Sequence, residues 1–104
     1  MPVERPDDDL RTLGEALLGL GEPTKAADAL ERARASVDEH GDRGRVAWID
    51  GLLGRALVDS GRDPARGRAL VAGAWAVMQT DDRMEAQRAS LAAWMKRRNL
   101  AAPR

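Results

Sequence analysis

Two segments of this chain, residues 12–33 and 52–73, repeat the same pattern of small and large residues forty positions apart. Seven identical residues align without a gap: Leu13, Gly14, Ala16, Leu17, Gly21, Ala29 and Leu30 in the first segment, and Leu53, Gly54, Ala56, Leu57, Gly61, Ala69 and Leu70 in the second. They fall at apolar and turn positions, whereas the polar positions between them differ. This pattern is typical of two copies of one supersecondary unit that bury their apolar sides against each other.

Each copy is predicted to form two helices joined by a tight turn. Gly21 and Gly61 close the first helix of each copy, and Pro23 and Pro64 suit the first turn of the second. The chain has three Trp and no Phe or Tyr, so Leu, Val and Ala must supply most of the core. Strands favour β-branched and aromatic residues. We therefore expect an all-α fold of about five helices.

Acidic residues mark the starts of several helices. Asp7–Asp9 would complement the positive end of the first helix, and Asp42 and Asp63 are the expected caps of the third and fourth. Asp82 and Glu85 have the spacing of an Asp variant of the capping box at the fifth.

Apolar residues recur at helical spacing along all five predicted helices. The stripes are, in order, Leu10, Leu13, Leu17 and Leu20; Ala26, Leu30, Ala33 and Val37; Val46, Ile49, Leu53, Ala56 and Leu57; Leu70, Ala74, Val77 and Met78; and Met84, Leu91, Trp94 and Met95.

Glycine inside a helix costs about 1 kcal/mol relative to alanine. Gly14 and Gly54 stand at equivalent places in the two copies, which predicts that each lies against a partner helix with no side chain between them. Ala26 and Ala33 would allow the same approach from the other side.

The first copy resembles the tetratricopeptide repeat (TPR). The resemblance depends on Leu-Gly in the first helix, a glycine at the turn, and small residues around a large one in the second: Leu13, Gly14, Leu17, Gly21, Ala26, Leu30 and Ala33. The second copy departs from the pattern at Asp50, Arg66 and Gly73. The forty-residue spacing is also longer than the usual ~34.

The resemblance implies a short right-handed solenoid of stacked antiparallel hairpins. It implies an N-terminal tail (1–6), two TPR-like hairpins (7–40 and 41–80), a capping helix (81–98) and a C-terminal tail (99–104). The stretches LGRALVDSGRDPARGRALVAGAWAVM and AQRASLAAWMKRR are similar to the ends of TPR arrays in large bacterial signalling proteins, such as multidomain serine/threonine kinases. Fifteen Arg against two Lys fit a GC-rich coding bias.

We expect no catalytic function, metal site or cofactor. His40, the sole histidine, is predicted in an exposed turn, and Ser36, Ser60 and Ser90 lie in no nucleophile motif. No phosphate-binding glycine loop occurs in its required context, and no cysteine is present. Helix capping accounts for Asp7–Asp9.

The resemblance implies a protein-binding surface formed by the first helix of each hairpin. Transferred by register, it consists of Arg11, Glu15, Leu18, Trp48, Gly51, Arg55 and Asp59. Trp48 has two interpretations, packing against a neighbouring helix or anchoring a partner; Trp75 and Trp94 are expected in the core or its seams. Asp50 is expected to face solvent, and any ion pair it makes must come from another helix or a ligand.

The charges are unevenly distributed along the chain. Up to residue 42 there are five basic and eleven acidic residues, and after it twelve basic and six acidic. The helical faces are either simply solvated this way or complementary, which would favour contact between copies or modules. Nucleic acid is an unlikely partner because the total charge is zero and no known nucleic-acid-binding motif is present.

We expect a non-catalytic protein-interaction or scaffolding module in the cytoplasm, with no membrane segment, no signal peptide and no small-molecule substrate. Two repeats fall below the usual minimum of about three, which predicts either self-association through the N-terminal end or membership of a longer solenoid. The alternatives are a purely structural dimerisation or spacer element and, less favoured, the sensor portion of a transcriptional regulator.

Overall fold

The computed structural model describes residues 6–37 and 41–100, which form five α-helices and no strand. The helices are α1 (Pro6–Gly19), α2 (Pro23–Ser36), α3 (Arg43–Ser60), α4 (Pro64–Met78) and α5 (Glu85–Arg97), with a 3₁₀ turn at Asp82–Met84 before α5. The all-α prediction and the number of helices are confirmed. His40 and parts of both predicted tails lie outside the described residues.

The ends of the helices follow the predicted signals in the first four elements. The Asp42 side chain accepts a hydrogen bond from the Gly44 amide (2.7 Å), and the Asp63 side chain accepts one from the Arg66 amide (3.2 Å). Both aspartates therefore cap their helices. Gly21 and Gly61 follow α1 and α3 with φ of 75° and 71°, left-handed values that glycine adopts without a Cβ penalty.

The predicted capping box at the fifth helix is wrong, because Asp81 caps the 3₁₀ turn and Met84, the N-cap of α5 itself, makes no side-chain capping bond. Asp81 accepts the hydrogen bond from the Arg83 amide (3.0 Å), whereas Asp82 lies inside the 3₁₀ turn and Glu85 begins α5. Asp81 has the extended backbone of a capping residue, which the spacing of Asp82 and Glu85 did not reveal.

The helices pack mainly with their neighbours in the chain. The α1–α2 and α3–α4 pairs have the most extensive contacts, and α2 packs along α3 between the two hairpins. The helix α5 contacts α4 and α3, and α3 also contacts α1. Thus α3 has neighbours on every side, which explains why it is the most buried helix.

Gly14 and Gly54 are buried, as predicted. A Cβ on Gly54 would lie 2.6 Å from the Gly67 carbonyl oxygen and 2.7 Å from a Val71 methyl, so the backbones of α3 and α4 touch directly. A Cβ on Gly14 would instead collide with the Leu30 side chain, so at this position the prediction that no side chain lies between the helices is wrong. Gly54 brings backbone against backbone, whereas Gly14 makes room for a leucine.

The second helices of the two hairpins align forty-one residues apart. Each of these helices has an equivalent packing face of three buried residues. The face on α2 consists of Ala26, Leu30 and Ala33, and the face on α4 consists of Gly67, Val71 and Ala74. The extra residue lies between Gly61 and Pro64. The apparent departures at Arg66 and Gly73 are thus a consequence of the ungapped alignment, since both residues are exposed and small residues occupy the equivalent buried positions.

Two hydrophobic clusters form the core. The first joins α2 to α3 and consists of Ala26, Ala27, Leu30, Leu52, Leu53, Ala56 and Leu57. The second joins α3 and α4 to α5 and consists of Ala47, Val71, Ala74, Met78, Met84, Leu91, Trp94 and Met95. Trp94 is buried as predicted, Trp75 is half-buried against the second cluster, and Trp48 packs against both.

Not every residue of the predicted apolar stripes is buried. Leu13 is 48% exposed and Leu20 is 75% exposed, although they share a stripe with Leu10 and Leu17. No described helix covers this side of α1, whereas α2 covers the equivalent side of α3. Separately, none of the helices in 6–37 and 41–100 has both the length and the apolar character needed to cross a bilayer.

Candidate groove between three helices

A groove runs between α1, α3 and α5, with Trp48 at its middle. At one end a cleft of about 360 Å³, here called the charged cleft, is lined by Asp8, Arg11, Asp42, Gly44, Arg45, Trp48, Asp81, Arg83, Met84 and Gln87. Beyond Trp48 a cleft of about 250 Å³, here called the Arg55 cleft, is lined by Glu15, Leu18, Gly19, Trp48, Leu52, Arg55 and Ser90.

Most of the residues predicted for a binding surface lie along this groove. Glu15, Leu18, Trp48 and Arg55 line the Arg55 cleft, and Arg11 lines the charged cleft. Their side chains converge because α1 and α3 lie side by side, so equivalent positions of the two helices face the same space.

Gly51 and Asp59 are placed differently. Gly51 is buried, and a Cβ there would lie 3.5–3.6 Å from Ala74, Met78 and Leu91, so it offers no surface to a partner. Asp59 is half-buried and already engaged, since it accepts hydrogen bonds from Trp94 Nε1 (3.1 and 3.2 Å) and pairs with Arg98. Its carboxylate holds the end of α5.

Trp48 joins the two clefts and is fixed by a hydrogen bond. Its Nε1 donates to Glu15 Oε1 at 2.8 Å, and the same carboxylate pairs with Arg11. The indole is half-buried and packs against both hydrophobic clusters, which agrees with the packing interpretation. Its remaining surface is open to the groove.

The Nε–H of Arg55 is a buried hydrogen-bond donor without an acceptor. Its guanidinium carbon lies 6.0 Å from the centre of the Trp94 ring, and its Nε is buried without a hydrogen-bond partner. Burial lowers the pKa of this guanidinium, and nearby Arg97 lowers it further, while Asp59 and Glu15 raise it. Since an arginine stays protonated in proteins, the site holds a positive charge with an unused N–H.

Gln87 provides the corresponding acceptor. Its Oε1 is buried without a hydrogen-bond partner and lines the charged cleft. Among the side-chain nitrogen and oxygen atoms of the described residues, Arg55 Nε and Gln87 Oε1 are the two that are buried and unpaired. No pattern in the sequence indicates Gln87, because its position depends on how α5 packs beside α3.

Opposite charges alternate in the charged cleft. Arg45 lies 3.5 Å from the Asp7 carboxylate and 3.8 Å from that of Asp8, and Arg83 lies 2.9 Å from Asp81. Hydrogen bonds from Arg83 lower the pKa of Asp81. Arg83 and Asp81 were not among the predicted site residues, because they reach this space only through the 3₁₀ turn.

Asp50 lies outside the groove. Arg34 on α2 donates to its Oδ1 at 2.8 Å, so the ion pair does come from another helix. Its side chain is only 19% exposed, which corrects the expectation that it faces solvent. Burial raises the pKa of Asp50, and Arg34 opposes that effect only in part.

Basic residues of the second hairpin form ion pairs with acidic residues of the first. Arg62 pairs with Asp28 (2.8 Å), and Arg66 makes two bonds of 2.9 Å to Glu31. Arg45 is likewise paired with Asp7. Arg45, Arg62 and Arg66 are therefore each paired with a carboxylate of the preceding hairpin.

In the described part of the chain, no three His, Cys, Asp or Glu side chains come together as a metal site would need. Comparison with protein-family models, curated proteins and solved structures finds no match.

Proposed function

We propose that this chain is a non-catalytic protein-interaction module whose groove between α1, α3 and α5 binds an extended segment of another protein. The observation that carries the proposal is the open surface of Trp48 between two clefts, with Arg55 lining one and Gln87 lining the other. The Trp48 indole is held by its hydrogen bond to Glu15, which fixes the surface that a partner would meet.

An extended peptide has the complementary chemistry. Its backbone carbonyls can accept hydrogen bonds from the Arg55 guanidinium, and its backbone amides can donate to the Gln87 side-chain amide. Leu18 and the exposed part of Trp48 offer apolar contact to a side chain between them. Tryptophan and arginine are also the residues most often found at the energetic centres of protein interfaces.

The arrangement of the helices supports a TPR-like interpretation of this surface. The first helices of the two hairpins align forty residues apart and the second helices forty-one. In each hairpin a buried glycine of the first helix lies directly against the second helix. We propose a short TPR-like stack on this basis. Its place in a bacterial signalling protein and in the cytoplasm remains a proposal that depends on the sequence resemblance.

The test is selection from a library of displayed peptides, followed by titration of the enriched peptides against purified protein. We expect micromolar binding, with the Trp48 fluorescence changing on titration. Arg55→Gln removes the guanidinium from the Arg55 cleft and should weaken binding at least tenfold, the equivalent of about 1.4 kcal/mol.

Arg68→Gln is the matched control, because Arg68 is exposed on α4 and absent from both clefts. It should bind like the unmodified chain. The proposal fails if no peptide is enriched, or if Arg55→Gln and Arg68→Gln bind the enriched peptides equally well.

A further inference from the structure

The outer face of α1 carries an apolar surface that no described element covers. Asp9, Leu13, Ala16 and Leu20 follow one another at helical spacing, and all four are exposed. Leu13 and Leu20 are the large hydrophobic residues that the described ranges leave exposed, and both lie on this face. Contiguous apolar surface of this kind marks interaction sites rather than ordinary solvated helix.

The equivalent face of α3 is an interface within the chain. Leu53 and Ala56, forty residues after Leu13 and Ala16, are both 0% exposed. They are covered by α2, whose Leu30 belongs to the same cluster. The residue pattern that α3 uses for helix packing is therefore present on α1 without its covering helix.

The charges at the two ends of this face are opposite. Asp9 lies near the start of α1, and Lys25 lies beside its far end on α2. Lys25 corresponds, forty-one residues on, to Arg66, which reaches across to Glu31 of α2, the helix that covers α3. By this equivalence Lys25 lies toward the open side of α1. Its side chain is 70% exposed and its Nζ lies 3.5 Å from the Glu22 carboxylate, so a partner's carboxylate would share or replace that contact.

We propose that a second copy of this chain covers the outer face of α1, with the two α1 helices packed antiparallel about a two-fold axis. In that arrangement Asp9 faces the partner's Lys25, and the same pair forms again on the other side of the axis, as an isologous interface requires. Leu13 and Leu20 are buried against the other copy. Ala16 and Gly19 near the contact allow the helices to approach closely.

The first experiment is equilibrium sedimentation across micromolar concentrations. The unmodified chain should form a dimer, and Leu20→Asp should weaken it more than tenfold, because it places a carboxylate in the apolar contact. Ala93→Asp is the control, since Ala93 is exposed on α5, and it should dimerise normally. Circular dichroism establishes that each variant is folded.

The second experiment tests the antiparallel pairing by exchange of charge. Asp9→Lys and Lys25→Asp should each weaken the homodimer, because each creates two like-charge contacts. An equimolar mixture of the two variants should form a heterodimer, because both contacts then join opposite charges. If Leu20 only stabilised the monomer, mixing the two charge variants would not restore a dimer.

The inference is overturned if the unmodified chain is monomeric at about 100 µM, where any dimer of micromolar affinity would be assembled. It is also overturned if Leu20→Asp dimerises normally, or if the charge-exchanged variants fail to associate when mixed. Dimerisation does not depend on peptide binding in the groove, so Arg55→Gln should dimerise like the unmodified chain.

Discussion

At the scale of single residues, two kinds of glycine within α3 and α4 can be contrasted. Gly54 and Gly67 mark the place where the backbones of α3 and α4 touch, and a Cβ on either would meet a carbonyl oxygen at 2.6–2.7 Å. Gly73 lies in α4 with nothing within 4 Å of where its Cβ would be. The same substitution should therefore have opposite effects at the two kinds of site.

We expect Gly54→Ala to lower the free energy of unfolding by at least about 2 kcal/mol, since overpacking against a backbone atom cannot be relieved by a rotamer change. Gly73→Ala should raise it by roughly 0.5–1 kcal/mol through helix propensity. Urea unfolding followed by circular dichroism measures both. Equal effects at the two positions would contradict the close approach of α3 and α4.

Asp50 gives a second prediction at this scale. Because burial raises its pKa, ionisation of this carboxyl disfavours the folded state at pH 7, and that penalty is relieved as the pH falls through the raised folded-state pKa. Asp50→Asn keeps an oxygen that Arg34 can donate to, so it should be as stable as the unmodified chain or more stable at pH 7. That advantage should shrink on acidification, as seen in urea unfolding at several pH values.

Arg34→Ala is the contrasting variant. It leaves the Asp50 carboxylate half-buried without its donor and should cost about 1 kcal/mol at pH 7. If Asp50→Asn were the more damaging of the two, the ion pair would be net stabilising and the direction of the pKa shift would be wrong.

At the scale of elements, helix starts could be predicted where one residue carries the signal. Asp42, Asp63 and the two turn glycines were recognised because their chemistry is local. The start of α5 was not, because a 3₁₀ turn capped by Asp81 precedes the α-helix, whose own N-cap, Met84, has no capping side chain. The Arg83 side chain also reinforces Asp81 through two hydrogen bonds of 2.9 and 3.0 Å.

Asp81→Ala should therefore lower the thermal midpoint of unfolding. Asp82→Ala removes the same side chain one residue later and should leave the midpoint unchanged. Differential scanning calorimetry of the two variants decides between the predicted and the observed cap. A larger effect at Asp82 would favour the capping box.

At the scale of the whole molecule, complementary charges join the two hairpins. Arg66 binds both oxygens of Glu31, and this lowers the pKa of the glutamate. A lowered folded-state pKa means that the pair stabilises the fold above the ordinary glutamate pKa of about 4.3. That contribution is lost as the pH falls through the lower folded value.

Glu31→Gln should accordingly reduce stability at pH 7 by no more than about 1 kcal/mol, the usual size for an exposed pair. The difference from the unmodified chain should disappear as the pH falls below the lowered folded-state pKa, once Glu31 is protonated in both states, and should diminish at high salt. Thermal unfolding at several pH values measures this. A difference that persists in acid would show that Glu31 acts through packing.

The sequence predicted features that depend on local chemistry or on a repeated pattern. The helices and the buried glycines follow from spacing along the chain, whereas the set of Glu15, Leu18, Trp48 and Arg55 was transferred by register from the TPR resemblance. Features that depend on one added residue or on docking of a helix were missed. The shift that aligns Gly67 with Ala26 was hidden by an ungapped comparison, and Gln87 enters the groove only because α5 packs beside α3.

The stacking of Arg55 on Trp94 links the groove to the attachment of the last helix. Trp94 donates to Asp59, and Asp59 pairs with Arg98 at the end of α5, so one continuous set of contacts runs from the groove to that helix end. Any molecule that binds there with α5 in place must, by thermodynamic linkage, make detachment of α5 rarer. Amide hydrogen exchange in α5 would then slow as the groove becomes occupied, so the exchange rate of this helix would report how much of the protein has bound a partner.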